Sequence, residues 1–245
     1  NKLGVDVVAL NSRTDENKLA MLQNEFRANQ ERLGKIVSAL DATLGVQLDV
    51  GGEKIFLLDE YGAIVNDITA AALMTELALY ANPGATVAVP VTMPEAFEKI
   101  ASWHGGRILR IGQQMQNMAQ AAKEPDVILV CDGTGNFVVP DFMPAIDGMM
   151  TTVRLLQCLA VRALRISEIV KYLPAMHVAR GSVHSPWDAK AAVMRAIYDA
   201  HKNHRIESLD GYKIYLADDS WIHISPHVER PSIEVVAEGP TAQAA

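Results

Sequence analysis

Cysteine is scarce in this chain of 245 residues. Only Cys131 and Cys158 occur, with no CxxC pair and no Cys/His ligand spacing. Neither a disulfide framework nor a zinc site is expected, and a reducing cytoplasm is the expected location. Long apolar runs are missing too: no stretch approaches the roughly 18 residues of a membrane helix. The start carries no basic, apolar, small-residue leader, so no membrane partner is expected. Positive charge is in deficit, with 22 Lys and Arg against 29 Asp and Glu, a net charge of −7. No segment has the basic footprint of a nucleic-acid binder, and nucleic acid is not expected as a partner. Any phosphate ligand must then be held by a local cluster. Repeats and low-complexity blocks are also absent. The first residue is Asn1 rather than a methionine, which suggests a segment of a longer polypeptide.

What is present is an ordinary globular composition, 49% hydrophobic and 21% charged, which excludes wholesale disorder. The length fits two or three domains. Residues 5–10 are a β-branched apolar run that reads as a buried strand. Leu19, Leu22, Phe26, Leu33, Ile36, Val37 and Leu40 recur at helical spacing. Residues 44–49 and 54–58 read as strands around Gly51-Gly52, followed by a turn at 59–62. Residues 68–80 form an apolar helix stopped by Asn82-Pro83-Gly84. The pattern then restarts. Strands at 86–90, 107–111 and 127–131 alternate with helices at 94–103 and 113–122, ahead of an extended piece at 137–140 and a long helix at 145–162. This alternation predicts a parallel α/β sheet. After Pro174 the character changes. An extended segment at 176–183 and a helix from Pro186 to His201 precede strands at 212–216, 221–224 and 232–237. Ala217 to Ser220 form a hairpin-type turn between the first two of these. One helix with an antiparallel meander is an α+β unit. Trp103, Trp187 and Trp221 are expected in cores or in packing between domains rather than as ligand platforms, and Met143, Met149 and Met150 as core filling beside the long helix.

Parallel α/β sheets bind ligands at the carboxyl ends of their strands. Three loops carry suitable chemistry. Asp49 and Glu53 flank a Gly-rich turn and suit one hard cation; a plain β-turn with solvated ends is the alternative. Asp132, Thr134 and Asn136, separated by glycines, suit sugar hydroxyls, although many such loops are only loops. Ser225, His227 and Arg230 suit a phosphate, with a surface turn as the alternative. Asp141 and Asp147 are expected to cap the helix that follows them.

In their order and spacing these loops resemble the α-D-phosphohexomutase family, the phosphomannomutases and phosphoglucomutases. The resemblance is carried by residues 44–60, Asn82-Pro83-Gly84-Ala85, residues 133–148 and 187–195, Asp210-Gly211-Tyr212-Lys213 and Asp219-Ser220-Trp221. It implies mutase-type α/β/α domains with mixed sheets followed by a C-terminal α+β domain. The implied division is a partial domain II at 1–82, domain III at 83–174 and domain IV at 175–245. The family's metal loop, D-x-D-G-D-R, survives as Asp49, Gly51, Glu53 and Lys54. Magnesium binding is therefore expected to be weak or lost, with Asp49 and Glu53 as the remaining ligands. The sugar loop, G-E-x-S-G, becomes Cys131-Asp132-Gly133-Thr134-Gly135, which keeps hydroxyl-recognising groups. The phosphate loop, R-x-S-N-T-E-P, leaves a cation at Arg230, and the G-H-K loop becomes Gly112-Gln113-Gln114. No Ser precedes His-Asn, so the family's phosphoserine loop is not in this sequence and no catalytic residue is assigned.

The chain also resembles the degenerate mutase-like C-terminal regions of bacterial sugar nucleotidyltransferases of the mannose-1-phosphate guanylyltransferase type. That resemblance implies an upstream nucleotidyltransferase domain in the same polypeptide. The expected function is a mutase-like module that lacks mutase catalysis by itself and binds a hexose phosphate or nucleotide sugar between domains III and IV. Asp132, Thr134 and Asn136 would grip hydroxyls, and His227 and Arg230 would hold phosphate. One alternative is a working phosphomannomutase or phosphoglucomutase whose phosphoserine domain lies outside this chain. Another is a structural module that packs or oligomerises a neighbouring catalytic domain, with a homo-oligomer as one expected assembly.

Overall fold

The computed structural model describes residues 4–12, 23–216 and 220–245. Helix α1 (Gln23–Ala39) packs across a small antiparallel sheet, β1 (Gly45–Leu48), β2 (Ile55–Leu58) and β3 (Ile64–Val65), in the order β1-β2-β3. Phe26 meets Phe56 edge-on at 4.6 Å. The helix comes so close to the hairpin that a Cβ on Gly34 would lie 2.5 Å from the carbonyl oxygen of Gly62.

Next come α2 (Asp67–Ala81), β4 (Thr86–Pro90), α3 (Ala96–Trp103), β5 (Arg107–Ile111), α4 (Met115–Ala121), β6 (Val127–Cys131), β7 (Phe137–Val138), α5 (Gly148–Arg162) and α6 (Ile166–Tyr172). The sheet runs β5-β4-β6-β7. Its first three strands are parallel, and β7 returns antiparallel beside β6. The sequence Thr-Val-Ala-Val-Pro of β4 is buried on both faces, as expected for a central parallel strand. Helix α2 is apolar all round and buried from Ala70 to Leu79. Its side chains share one core with β2, β4, β6 and α5, so the small first sheet and the larger sheet are sewn together by this helix. Asn66 starts α2 by accepting from the Thr69 amide at 2.9 Å, and Asn82 closes it.

The last part holds β8 (Val178–His184), α7 (Lys190–His201), β9 (Ile206–Glu207), β10 (Tyr212–Tyr215), β11 (Trp221–Pro226) and β12 (Ser232–Glu238). The five strands form one antiparallel sheet in the order β8-β12-β11-β10-β9. Helix α7 packs on β11.

The expected fold class is borne out. Three local expectations are corrected. Residues 5–10 are not a buried strand: they are irregular, with Val7 and Val8 exposed, and they join none of the sheets formed by the described residues. The larger sheet is mixed, as the resemblance implies, since the piece after β6 is short enough to fold straight back. Of the tryptophans, Trp221 is in a core, whereas Trp103 and Trp187 are exposed and lie against Tyr172 and Lys190 respectively. Met143 and Met149 are exposed, because α5 buries its stripe through Thr151, Leu155, Cys158 and Leu159 instead. Leu19, Leu22 and the turn residues Ala217, Asp218 and Asp219 lie outside the described residues. Among the described residues no helix is long and apolar enough to cross a membrane.

Candidate functional site

The loops after β4, β5 and β6 all leave the carboxyl edge of the parallel strands, and the C-terminal sheet caps that edge. In the loop after β6, Gly133 and Gly135 have positive φ, +70° and +91°, which lets the chain curl tightly around the Asp132 carboxylate. Asp132 Oδ1 accepts from the amides of Thr134 (2.8 Å) and Asn136 (3.3 Å). Its Oδ2 accepts from Thr134 Oγ1 (2.7 Å) and Asn136 Nδ2 (2.6 Å). The three residues singled out by sequence are therefore brought together, but largely bonded to one another. Thr134 is exposed and Asp132 half-buried, while Asn136 is buried and braces Asp132 from beneath. The loop is seated on β2, where the Ile55 amide donates to the Gly135 carbonyl at 3.0 Å.

The 49–54 loop sits beside it. Asp49 Oδ1 accepts from the amides of Glu53 (2.8 Å) and Lys54 (3.0 Å), so this carboxylate caps its own turn. The first amide of α5, on Gly148, donates to the Gly52 carbonyl at 3.0 Å, and a Cβ on Gly148 would lie 2.7 Å from that oxygen. Asp147 caps α5 through the Met150 amide at 2.7 Å, as the sequence suggests, whereas Asp141 instead pairs with Arg154. Lys54 reaches across to the 132–136 loop, its Nζ 3.5 Å from the Thr134 carbonyl oxygen. Asp67, the first residue of α2, is in the field of both Lys54 and Asp132. Burial pushes its carboxyl above the usual range, with Lys54 opposing and Asp132 reinforcing.

These donors do not fit a magnesium ion. Mg²⁺ asks for a near-octahedral oxygen shell with converging carboxylates. Here Asp49 Oδ1 is held by two backbone amides, and the Lys54 ammonium follows Glu53 directly in sequence. Among the described residues, no group of three or more His, Cys, Asp and Glu side chains is placed to share a metal.

The third loop joins β11 to β12. His227 Nδ1 accepts from the Glu229 amide at 3.0 Å, and the Arg230 side chain is exposed. The sequence reading missed Lys190, at the start of α7. This buried ammonium donates to the carbonyls of His227 (2.6 Å) and Arg230 (2.5 Å) and lies 3.7 Å over the Trp187 ring. No local pattern marks a lysine whose acceptors are backbone carbonyls 37 and 40 residues downstream.

Two further contacts fix the C-terminal sheet over the edge. The Gln113 amide donates to Asp210 Oδ2 at 2.8 Å, and Gln113 Nε2 approaches Ser225 Oγ at 3.4 Å. The Gly112-Gln113-Gln114 loop thus meets the base of the third loop. On the other side, Lys213 Nζ is 2.9 Å from Glu95 Oε1 and 4.2 Å from the centre of the Trp221 ring. Glu238 Oε2 accepts from Trp221 Nε1 (2.5 Å) and from the Glu95 amide (3.0 Å). Burial and the charge of Arg110 push the Lys213 ammonium down, against the pull of Glu95. Burial raises the Glu95 carboxyl, but the hydrogen bond and charge of Lys213 outweigh it and hold the group below its usual range.

Residues 66–176 match the family model of the phosphoglucomutase/phosphomannomutase alpha/beta/alpha domain III. The chain is 26% identical to a phosphoglucomutase/phosphomannomutase of Thermococcus kodakarensis, over 100% of this chain and 54% of that protein. It therefore spans about half the length of the curated relatives it matches. A phosphoglucomutase/phosphomannomutase family protein from Burkholderia thailandensis superposes with a TM-score of 0.71 at 20% identity, covering 89% of this chain and 47% of that one. The Aspergillus fumigatus N-acetylphosphoglucosamine mutase, in complex with GlcNAc-6P and magnesium, superposes with a TM-score of 0.59 at 12% identity, covering 82% and 50%. At these identities the structural likenesses speak for the fold alone.

Proposed function

Because residues 66–176 match the alpha/beta/alpha domain III model of the phosphoglucomutases and phosphomannomutases, we propose that this chain is the sugar-phosphate-binding part of a cytoplasmic sugar-nucleotide biosynthesis enzyme. Its division is a partial domain II at 1–82, domain III at 83–174 and domain IV at 175–245. A hexose phosphate or nucleotide sugar lies between the carboxyl edge of the larger sheet and the C-terminal sheet. Asp132 and Thr134 face its hydroxyls, with Asn136 holding Asp132 in place. Arg230, with its exposed guanidinium, and His227 take the phosphate. An upstream nucleotidyltransferase domain in the same polypeptide supplies the chemistry, and mutase turnover is absent from this part alone.

One observation carries this reading. The hydroxyl-recognising loop is intact and partly open to solvent, whereas the carboxylate that begins the metal loop is spent on its own backbone. Magnesium, present in the complex of the fungal relative, is expected to bind weakly or not at all here. The test is a thermal-shift panel of mannose and glucose 1- and 6-phosphates, GDP-mannose and inorganic phosphate, with and without Mg²⁺. A ligand at about 100 times its Kd adds roughly 2.7 kcal/mol. A sugar-phosphate shift that is independent of Mg²⁺ and lost in Asp132→Ala with Thr134→Ala supports the proposal. No shift with any sugar ligand defeats it.

The likeness along the whole chain to a phosphoglucomutase/phosphomannomutase favours a second reading. In it, the complete protein is a working mutase whose nucleophile lies outside this sequence. Mg²⁺-dependent interconversion of hexose 1- and 6-phosphates by the full-length protein would establish it.

A further inference from the structure

We infer that the Lys54 ammonium is the built-in cation of this site, holding the 49–54 and 132–136 loops together so that no divalent ion is needed to order them. This rests on the reading above only for which loops form the site. Four carboxylates gather around these loops, those of Asp49, Glu53, Asp67 and Asp132. Asp49 Oδ1 accepts from two backbone amides, which stabilise its charge. Asp132 is saturated by four donors from its own loop. Asp67 has neither kind of help. It is half-buried at the start of α2, and the charge of Asp132 adds to its burden while that of Lys54 relieves it.

Lys54 is suited to the task by position. It stands where β2 begins, and its stem carries one charge from the first sheet to the loop that follows β6. The span is 80 residues in sequence and one hydrogen bond in space. Arginine's planar fork favours bidentate partners, whereas an ammonium is a compact point charge with three rotatable donors. Among the described residues Lys54 Nζ has one acceptor, the Thr134 carbonyl oxygen. Two N–H groups therefore remain for a ligand oxygen. The surrounding carboxylates repel phosphate, so the oxygen that this end of the site admits is a hydroxyl, with Lys54 donating to it.

The experiment uses the whole chain without any sugar, so its outcome is separate from that of the ligand panel. Melting temperatures are measured at low salt for wild type, Lys54→Met, Lys54→Arg, Asp67→Asn and the Lys54→Met/Asp67→Asn double variant, with calorimetric titration of Mg²⁺ into wild type. The expected result has four parts. Wild type shows no saturable Mg²⁺ binding. Lys54→Met melts lower. Lys54→Arg stays near wild type. The Lys54→Met deficit shrinks in the Asp67→Asn background. Saturable Mg²⁺ binding that disappears in Asp49→Asn would overturn the inference. So would a Lys54→Met deficit that is equal in both backgrounds, since that would make Lys54 a packing residue.

Discussion

Removing either partner of the Lys213–Glu95 pair should have very unequal consequences. Lys213 is 1% exposed, whereas 42% of the Glu95 side chain is open to solvent. In Glu95→Ala the ammonium stays buried against the Trp221 ring with its counter-charge gone. Breaking a buried pair in this way costs about 3–5 kcal/mol. In Lys213→Met the charge leaves with the stem, the apolar packing on Trp221 is kept, and Glu95 rehydrates, so the loss is about 1 kcal/mol or less. The double variant should resemble Lys213→Met alone, a strong positive coupling. For a chain of this size each kcal/mol moves Tm by roughly 2–4 °C, so Glu95→Ala should melt about 10 °C lower and Lys213→Met only slightly lower.

The sign of the pH dependence follows from the same picture. An unpaired buried ammonium escapes by losing its proton. The Glu95→Ala deficit is therefore full at neutral pH and eases as pH rises from the lowered folded value of Lys213 toward the unfolded value near 10.5. Calorimetric unfolding of the four proteins at neutral and alkaline pH measures all of this. Equal losses from the two single variants, or a Glu95→Ala deficit that ignores pH, would refute the reasoning.

Three other outcomes are expected. Gly34→Ala puts a methyl 2.5 Å from the Gly62 carbonyl oxygen, so urea unfolding should report a loss of about 1–3 kcal/mol, the usual cost of overpacking. His223 is fully buried, and burial keeps its ring neutral by lowering its pKa, with Lys213 adding to this and Asp210 opposing. Its contribution is therefore complete above the unfolded value of 6.5 and is lost as pH falls toward the folded value; His223→Gln should flatten the stability profile between pH 7.5 and 5.5, within the range about 6.5 where an unperturbed histidine titrates. Lys190→Met leaves the carbonyls of His227 and Arg230 without their shared donor. It should cost about 1.5–3 kcal/mol and speed amide exchange across 227–232.

Most of the layered fold can be read directly from the sequence. The β4 and β6 runs are apolar enough, and α2 long and apolar enough, that local pattern and tertiary burial agree. Residues 5–10 have the same local character as β4, but a strand exists only if something pairs with it, and pairing is not a local property. Within the site, the spacing of Asp132, Thr134 and Asn136 announced a loop of mutually reachable polar groups, and that is what formed. It could not announce that the loop would satisfy itself. The residues that fix the cleft were the least legible. Glu95 and Lys213 are 118 positions apart, and Lys54 and Thr134 are 80 apart. Each looks like an ordinary surface residue until the topology brings it to its partner.

The strand order of the C-terminal sheet also bears on how the protein is made. Among the described residues β8 pairs only with β12, and Glu238 at the end of β12 supplies the oxygen that joins Trp221 to the Glu95 amide. During synthesis, β8 emerges from the ribosome long before anything exists for it to pair with. The parallel sheet and its loops can assemble while the rest is still being translated, but the wall that closes over them must wait for β12. A nascent chain stalled anywhere before residue 232 has β8 without its partner strand, so the wall over the carboxyl edge closes only once β12 has emerged.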